Sequence, residues 1–369
     1  MTSPAHLTTA TTLVESFMDD LRMLVNIDSG TYRPEGVAQV ATYLRPRFAE
    51  LGFEVEQRPG RELGPQLVAR RAGTGHGRVL LIGHMDTVFP EGEPARRPFK
   101  VANGRAFGPG VFDMKSGILI GLYALRLLAA TGEAPFAHAT FLCNSDEEIG
   151  SPESGPLVHE LAREADAAIV LEPGHGRDQV TVARKGVGIY TLEVGGVAAH
   201  AGVEPERGRS AIHELAQRIV AIHALNAAIA GVTVNVGTIS GGERPNIVAD
   251  HARAQIDVRA PSAESAHAID DALHRVCATP SVAGTTLHLT GGFVHQPFEQ
   301  SAASAHLFAL AQQSAAELGM TLVGTSTGGG SDGNSTAAEG VATLDGMGLT
   351  GDLAHNEGEF VNVADIAPR

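Results

Sequence analysis

The sequence predicts an α/β protein with a mostly parallel central sheet, interrupted by an inserted ferredoxin-like (βαββαβ) domain. Short continuous apolar runs alternate with helical periodicity as far as Leu171, which is how strands buried on both faces of a parallel sheet read. From Val180 the order becomes strand, helix, strand, strand, helix, strand. A length of 369 residues exceeds one ordinary core and points to two domains. The expected division is a discontinuous larger domain, residues 1–179 and 293–369, with an insert at 180–292.

Leu13, Phe17, Leu21 and Leu24 recur at helical spacing, and Val37, Val40, Leu44 and Phe48 repeat the pattern, giving two amphipathic helices. Pro46 is expected to kink or end the second, because it lacks the amide its turn needs. The runs Val79 to Ile82, Thr140 to Cys143 and Ala168 to Leu171 read as buried strands. Each stops at polar residues: His84 and Asp86, Glu147 and Glu148, then Glu172. Open α/β sheets place their sites at the carboxyl ends of strands, so these side chains can converge. Asp113 lies between Gly108-Pro109-Gly110 and a helix expected to begin near Met114. In the insert, strands are expected at 180–194, 232–239, 247–258 and 285–290, with helices at 209–230 and 262–278. The alternation of Ala252, Ala254, Ile256 and Val258 with Arg253, Gln255, Asp257 and Arg259 marks a sheet with one wet face. A helix over 302–318, a glycine-rich loop at 328–333 and a loop carrying His355 complete the chain, without internal repeats.

The net charge is −15, and no Lys and Arg stripe tracks a phosphate backbone, which argues against nucleic acid as a partner. Cys143 and Cys277 are far apart in apolar surroundings and read as buried free thiols. Residues 1–10 lack the basic start and apolar stretch of a secretory signal. The apolar segment 117–130 contains Arg126 and is shorter than the roughly 20 residues a bilayer requires. The expectation is a soluble, cytoplasmic protein with no membrane partner.

His84, Asp113, Glu148, Glu172 and His355 form the donor inventory of two divalent ions, with Glu147 as a spare acid for proton transfer. Taken singly, each has a bland reading: Asp113 as a helix N-cap, the Glu147-Glu148 pair as a solvated loop, His355 and His200 as ordinary loop histidines. Two adjacent carboxylates after a buried strand nevertheless repel each other unless a cation or shared proton compensates. Asp86, two residues beyond His84, can hold the second imidazole nitrogen.

Seven blocks carry a resemblance: Gly83-His84-Met85-Asp86-Thr87-Val88, Gly108 to Lys115, Asn144-Ser145-Asp146-Glu147-Glu148, Leu171-Glu172-Pro173, Ala199-His200-Ala201-Gly202, Arg244-Pro245-Asn246-Ile247-Val248 and Gly328 to Asp332. From about Leu21 to Ile366 the chain is similar to the M20 family of dizinc metallopeptidases and amidohydrolases, within it the glutamate carboxypeptidase-like members. The resemblance implies a zinc-peptidase-like catalytic domain with a lid and dimerisation insert. It also implies two divalent ions, Zn2+ with Co2+ or Mn2+ as alternatives. His84, Glu172 and Asp113 would hold one ion; Asp113, Glu148 and His355 would hold the other, with Asp113 bridging and a cis peptide after it. Glu147 would be the general base for a metal-bridging hydroxide, and Asp86 would orient His84. His200 would reach the partner subunit's site in a homodimer, assisted by Asn246. Arg259 would read a free substrate carboxylate.

The implied substrate is a peptide or N-acyl amino acid, cleaved by a carboxypeptidase or by an aminoacylase of the same family. Two features depart from the pattern. His295-Gln296-Pro297 stands where glutamate-preferring relatives have an arginine before proline, and one more helix is expected after the 363–368 stretch than the sequence supplies. Gly329-Gly330-Ser331-Asp332-Gly333 also fits a nucleophile elbow, so a serine hydrolase using Ser331 and His355 is a rival; a silent zinc-binding protein is another.

Overall fold

A computed structural model describes residues 4–369, with side chains from His6 onward. The chain forms two compact units. The larger takes residues up to Ala183 with Gln300–Thr327 and Ser331–Arg369, and the smaller takes Arg184–Glu299 with Gly328–Gly330.

Among the described residues, the larger unit holds a six-stranded sheet in the order Glu54–Arg58, Gln66–Ala72, His138–Asn144, Arg78–His84, Ala167–Val170, Ala342–Leu344. The last four run parallel to one another, and the first two join antiparallel at one edge. The α/β class with a mostly parallel sheet is therefore as expected. Successive strand residues face opposite ways. Leu67, Ala69, Leu81, Phe141 and Cys143 pack against the helices Pro4–Val25, Pro34–Glu50 and Ser116–Ala130 through Phe17, Leu24, Leu44, Phe48 and Ile118. Val68, Leu80, Ile82 and Leu142 face the other way, onto Leu157, Val158 and Leu161 of helix Gly155–Arg163. Covering both faces is what lets these strands be continuously apolar. In the parallel register Ile82 lies beside Leu142 and Val170, and His84 beside Asn144, so the three carboxyl ends finish level.

Two local expectations are corrected. Pro46 neither ends nor interrupts its helix, which runs to Glu50. Proline removes one main-chain hydrogen bond in the closing turn, while the apolar face from Val37 through Leu44 to Phe48 stays buried across it. The helix after Asp113 starts at Ser116, two residues beyond the expected Met114, because the backbone at Asp113 and Met114 is not helical. Asp113 has extended φ/ψ of −113° and 99°, and the Asp113-Met114 peptide is cis.

The smaller unit has an antiparallel sheet in the order Thr233–Gly241, His251–Ala260, Gly186–Gly195, Thr286–His295, with helices Ala211–Ala224 and Ala263–Cys277. Its core joins Tyr190, Leu192, Ala254, Ile256 and Val258 to Leu215, Ile222, Ile269 and Leu273 from the helices. The single strand expected over 180–194 is two, Gln179–Arg184 and Gly186–Gly195, parted at Lys185. Arg184 instead exchanges main-chain hydrogen bonds with Phe298, N to O at 2.9 Å and O to N at 3.0 Å. Cys143 and Cys277 are buried free thiols. Among the described residues no helix is long and apolar enough to cross a membrane.

Candidate metal centre

The level strand ends deliver the polar residues to one place. His84 closes its strand almost fully buried, and Glu172 follows the strand Ala167–Val170. Glu147 and Glu148 sit in a short helical turn after Asn144, and Asp113 arrives on the irregular turn before Ser116. Asp113 lies between two imidazoles: His84 Nε2 is 3.1 Å from Oδ1, and His355 Nε2 is 3.1 Å from Oδ2. His355 Nε2 is also 3.1 Å from Glu148 Oε2, and His84 Nε2 is 3.8 Å from Glu172 Oε1 and 4.0 Å from Glu147 Oε2. Two donor groups result, His84 with Asp113 and Glu172, and Asp113 with Glu148 and His355; within each the donor atoms lie within 4.8 Å of one another. Glu148 Oε1 is buried without a hydrogen-bond partner, a costly condition for a carboxylate that nothing coordinates. Imidazole nitrogens and carboxylate oxygens at this spacing fit divalent ions such as zinc.

Asp86 meets His84 mainly through its main chain. His84 Nδ1 lies 3.0 Å from the Asp86 carbonyl and 3.5 Å from Asp86 Oδ1. The carboxylate is occupied elsewhere: Thr31 Oγ1 donates to it at 2.7 Å, and the amides of Glu147 and Glu148 donate at 3.3 Å each. Asp86 thus fixes the imidazole on one side and the acidic turn on the other. Fixing Nδ1 leaves Nε2 directed at Asp113.

Several supporting residues have no role assigned from the sequence. Glu359 is fully buried and accepts main-chain hydrogen bonds from Gly110 at 3.0 Å, Phe112 at 2.7 Å and Asp113 at 2.9 Å. These three amides, which flank and include Asp113, thus hold Glu359, which pins the turn bearing Asp113. Asp332 accepts from Asn144 Nδ2 at 2.6 Å and Ser151 Oγ at 2.9 Å, bracing both flanks of the Glu147-Glu148 turn. Lys115 is buried and donates to the Ile27 carbonyl at 2.9 Å. His355 sits in a loop where it and Leu353 have φ of 62° and 64°, and Arg96 donates to Glu357 Oε1 of that loop at 2.7 Å.

The electrostatics are those of a crowded acidic site. Burial, and then the Glu172 charge, push the Glu147 carboxyl well above its usual range; burial also raises Glu148. Burial opposes charge on His84, yet its hydrogen bonds to Asp113 and Asp86 hold the imidazole well above its ordinary value. Hydrogen bonds to Asp113 and Glu148 lift His355 to about 10. Burial works against ionised Asp113, but both imidazoles hold it below the usual carboxylate range.

The remaining expected residues belong to the smaller unit. His200 is exposed, and its Nδ1 accepts from the Gly202 amide at 3.2 Å. His200 pairs with Ile247 across an antiparallel bridge, and Ala201 N donates to the Asn246 carbonyl at 2.9 Å, so His200 and Asn246 lie side by side. The Arg259 guanidinium forms a two-pronged pair with Asp257, at 2.9 and 2.8 Å. Asp257, two residues earlier on the same face of the strand, was the sequence signal for that pairing. Ser331 is not poised as a nucleophile: its buried hydroxyl donates to Asp345 Oδ2 at 2.6 Å and accepts from Gly333 N at 2.9 Å, capping helix Asp332–Ala338.

Residues 80–369 match the profile of Peptidase family M20/M25/M40. The chain belongs to this family. It is 30% identical over 354 residues to carboxypeptidase G2 of Pseudomonas sp. (strain RS-16), covering 95% of this chain and 85% of that relative. Succinyl-diaminopimelate desuccinylase of Delftia acidovorans (strain DSM 14801 / SPH-1) is 28% identical over 321 residues, 82% of each chain. The fold matches the crystal structure of aminopeptidase PepT from Bacillus cereus ATCC 10987 with a TM-score of 0.79 and 25% identity, over 96% of this chain and 95% of that one. The protein is an M20 metallohydrolase, and the two groups sharing Asp113 are its candidate metal site.

Proposed function

We propose that this M20 enzyme hydrolyses the amide bond next to a free carboxylate, releasing the C-terminal amino acid of a peptide or N-acyl amino acid. The observation that carries this reading is the Asp113 carboxylate, 3.1 Å from each of two imidazoles that belong to separate donor groups. His84, Asp113 and Glu172 would hold one zinc ion, and Asp113, Glu148 and His355 a second. Bound there, such ions polarise a carbonyl and lower the pKa of water to about 7.

The protein's own groups do the rest. Glu147, buried and with its carboxyl raised, is suited to take a proton from the attacking water and return it to the leaving amine. Asp86 keeps His84 and the Glu147-Glu148 turn in register. The smaller unit acts as lid and dimerisation domain, with His200 and Asn246 reaching the partner subunit's site. Arg259 reads the substrate carboxylate after exchanging Asp257 for it. The M20 relatives include a desuccinylase as well as a carboxypeptidase, which supports an aminoacylase-type activity as the second reading.

A chelator should abolish hydrolysis of N-acyl amino acids and dipeptides, zinc or cobalt should restore it, and a serine-directed acylating agent should leave it unchanged. Glu147→Gln should keep the metal content while turnover drops on the order of 10²-fold or more. Chelator-resistant turnover, or wild-type rates in the variant, would contradict the assignment.

A further inference from the structure

Beside the metal donors, the larger unit carries a cleft that shares one of them and is otherwise lined largely by apolar and uncharged side chains. It is lined by Glu148, Thr31, Tyr32, Val88, Pro90 and Ile149. Tyr32 is 77% exposed, Val88 42% and Ile149 39%, an unusual amount of apolar surface to leave in water around one opening. The cleft is tied to the reaction site at two points. Glu148, one of the candidate metal donors, forms part of its wall, and Thr31, adjacent to Tyr32, donates to Asp86 at 2.7 Å.

The two lips are built to hold their shape. Thr31 N donates to the Thr87 carbonyl at 3.1 Å and Thr87 N to the Ser29 carbonyl at 3.0 Å. Gly30 is required between them, since a Cβ there would lie 2.5 Å from the Phe89 carbonyl oxygen. Arg33 is the cation in the lining, and its guanidinium is tied to Asp28 at 3.2 Å and Glu91 at 2.5 Å, a strut from one lip to the other. A neutralised arginine next to Glu91 and Glu148 is a poor receptor for an anion. The cleft therefore suits the uncharged side of the substrate.

Resting on the amidohydrolase reading above, we infer that this cleft is the subsite for the acyl group, that Tyr32, Val88 and Ile149 select apolar and aromatic acyl groups, and that Tyr32 is the principal specificity-determining residue. An aromatic acyl group seated against the Tyr32 ring and the two aliphatic side chains removes apolar surface from water, whereas an acetyl group has only one methyl to bury there.

The test compares zinc-loaded enzyme with Tyr32→Ala and Val88→Ala on N-acetyl and N-benzoyl derivatives of the same amino acids, alanine and glutamate, with kcat and KM measured separately. Wild type should favour benzoyl over acetyl in kcat/KM, and each substitution should reduce that ratio about tenfold. The change should fall on the benzoyl substrates and leave acetyl turnover, zinc content and melting temperature as in wild type. If wild type cleaves both series and the ratio is unmoved by either substitution, the subsite assignment is wrong while the amidohydrolase reading stands. If zinc-loaded wild type cleaves neither series, the amidohydrolase reading falls and this inference falls with it.

Discussion

At the scale of the residue, the centre is governed by proton bookkeeping around Asp113. His84 and His355 are both held above their ordinary pKa by carboxylates, so in the metal-free protein at neutral pH they carry protons that an ion must displace. Zinc binding at pH 7 should therefore release protons, and affinity should fall as pH drops. Calorimetry in buffers of different ionisation enthalpy measures this, and zero net release would contradict it. The sign for stability runs the other way. His355 has a folded-state pKa of about 10, so the support its ion pairs give the metal-free fold is complete below its ordinary value of 6.5 and is lost as pH rises through about 10. His84, Glu148 and Glu172 are legible because they follow buried apolar runs and Asp113 because it follows a glycine-rich turn, whereas His355 stands out only through the family resemblance. Glu359, Asp332 and Thr31 are not legible, because a lone polar residue in a loop has no periodicity, and its role is set by which main-chain amides or hydroxyls the fold brings to it.

At the scale of the element, the close fit of helix Ser116–Ala130 to the strand end bearing Glu172 is decisive. A Cβ on Gly117 would lie 1.9 Å from the Leu171 carbonyl oxygen, so the helix can approach only because that position is glycine. Gly117→Ala should force the helix and the Leu171-Glu172 segment apart, costing about 1–3 kcal/mol in denaturant unfolding and weakening metal uptake. Unchanged stability together with unchanged zinc affinity would show that the contact is not needed. Element type was readable from apolar spacing, whereas some boundaries were not. Pro46 is tolerated because it falls in a last turn whose buried face carries the helix onward, and the break at Lys185 arises where Arg184 pairs with Phe298 rather than continuing one ladder. Both are decided by tertiary contacts that local propensity does not contain.

At the scale of the whole molecule, the proposed exchange of His200 between subunits makes a prediction that one chain alone cannot satisfy. His200→Ala and Glu147→Gln should each be nearly inactive. Mixing them under conditions that allow subunit exchange should restore up to about a quarter of wild-type activity, since only mixed dimers hold one intact site. Absence of recovery, with exchange verified, would remove the histidine from the partner's site. The α/β class and the order of the smaller unit's elements were readable because alternating and continuous apolar runs are distinct signals. The Arg259 pairing with Asp257 is signalled only by their shared strand face, which does not by itself choose among the partners open to a surface arginine. The reciprocal main-chain pairing of Arg184 with Phe298 has an engineering corollary: the insert leaves and rejoins its host at adjacent residues, so a short turn spliced between them should yield a miniature scaffold on which the donor groups can be studied without the excursion.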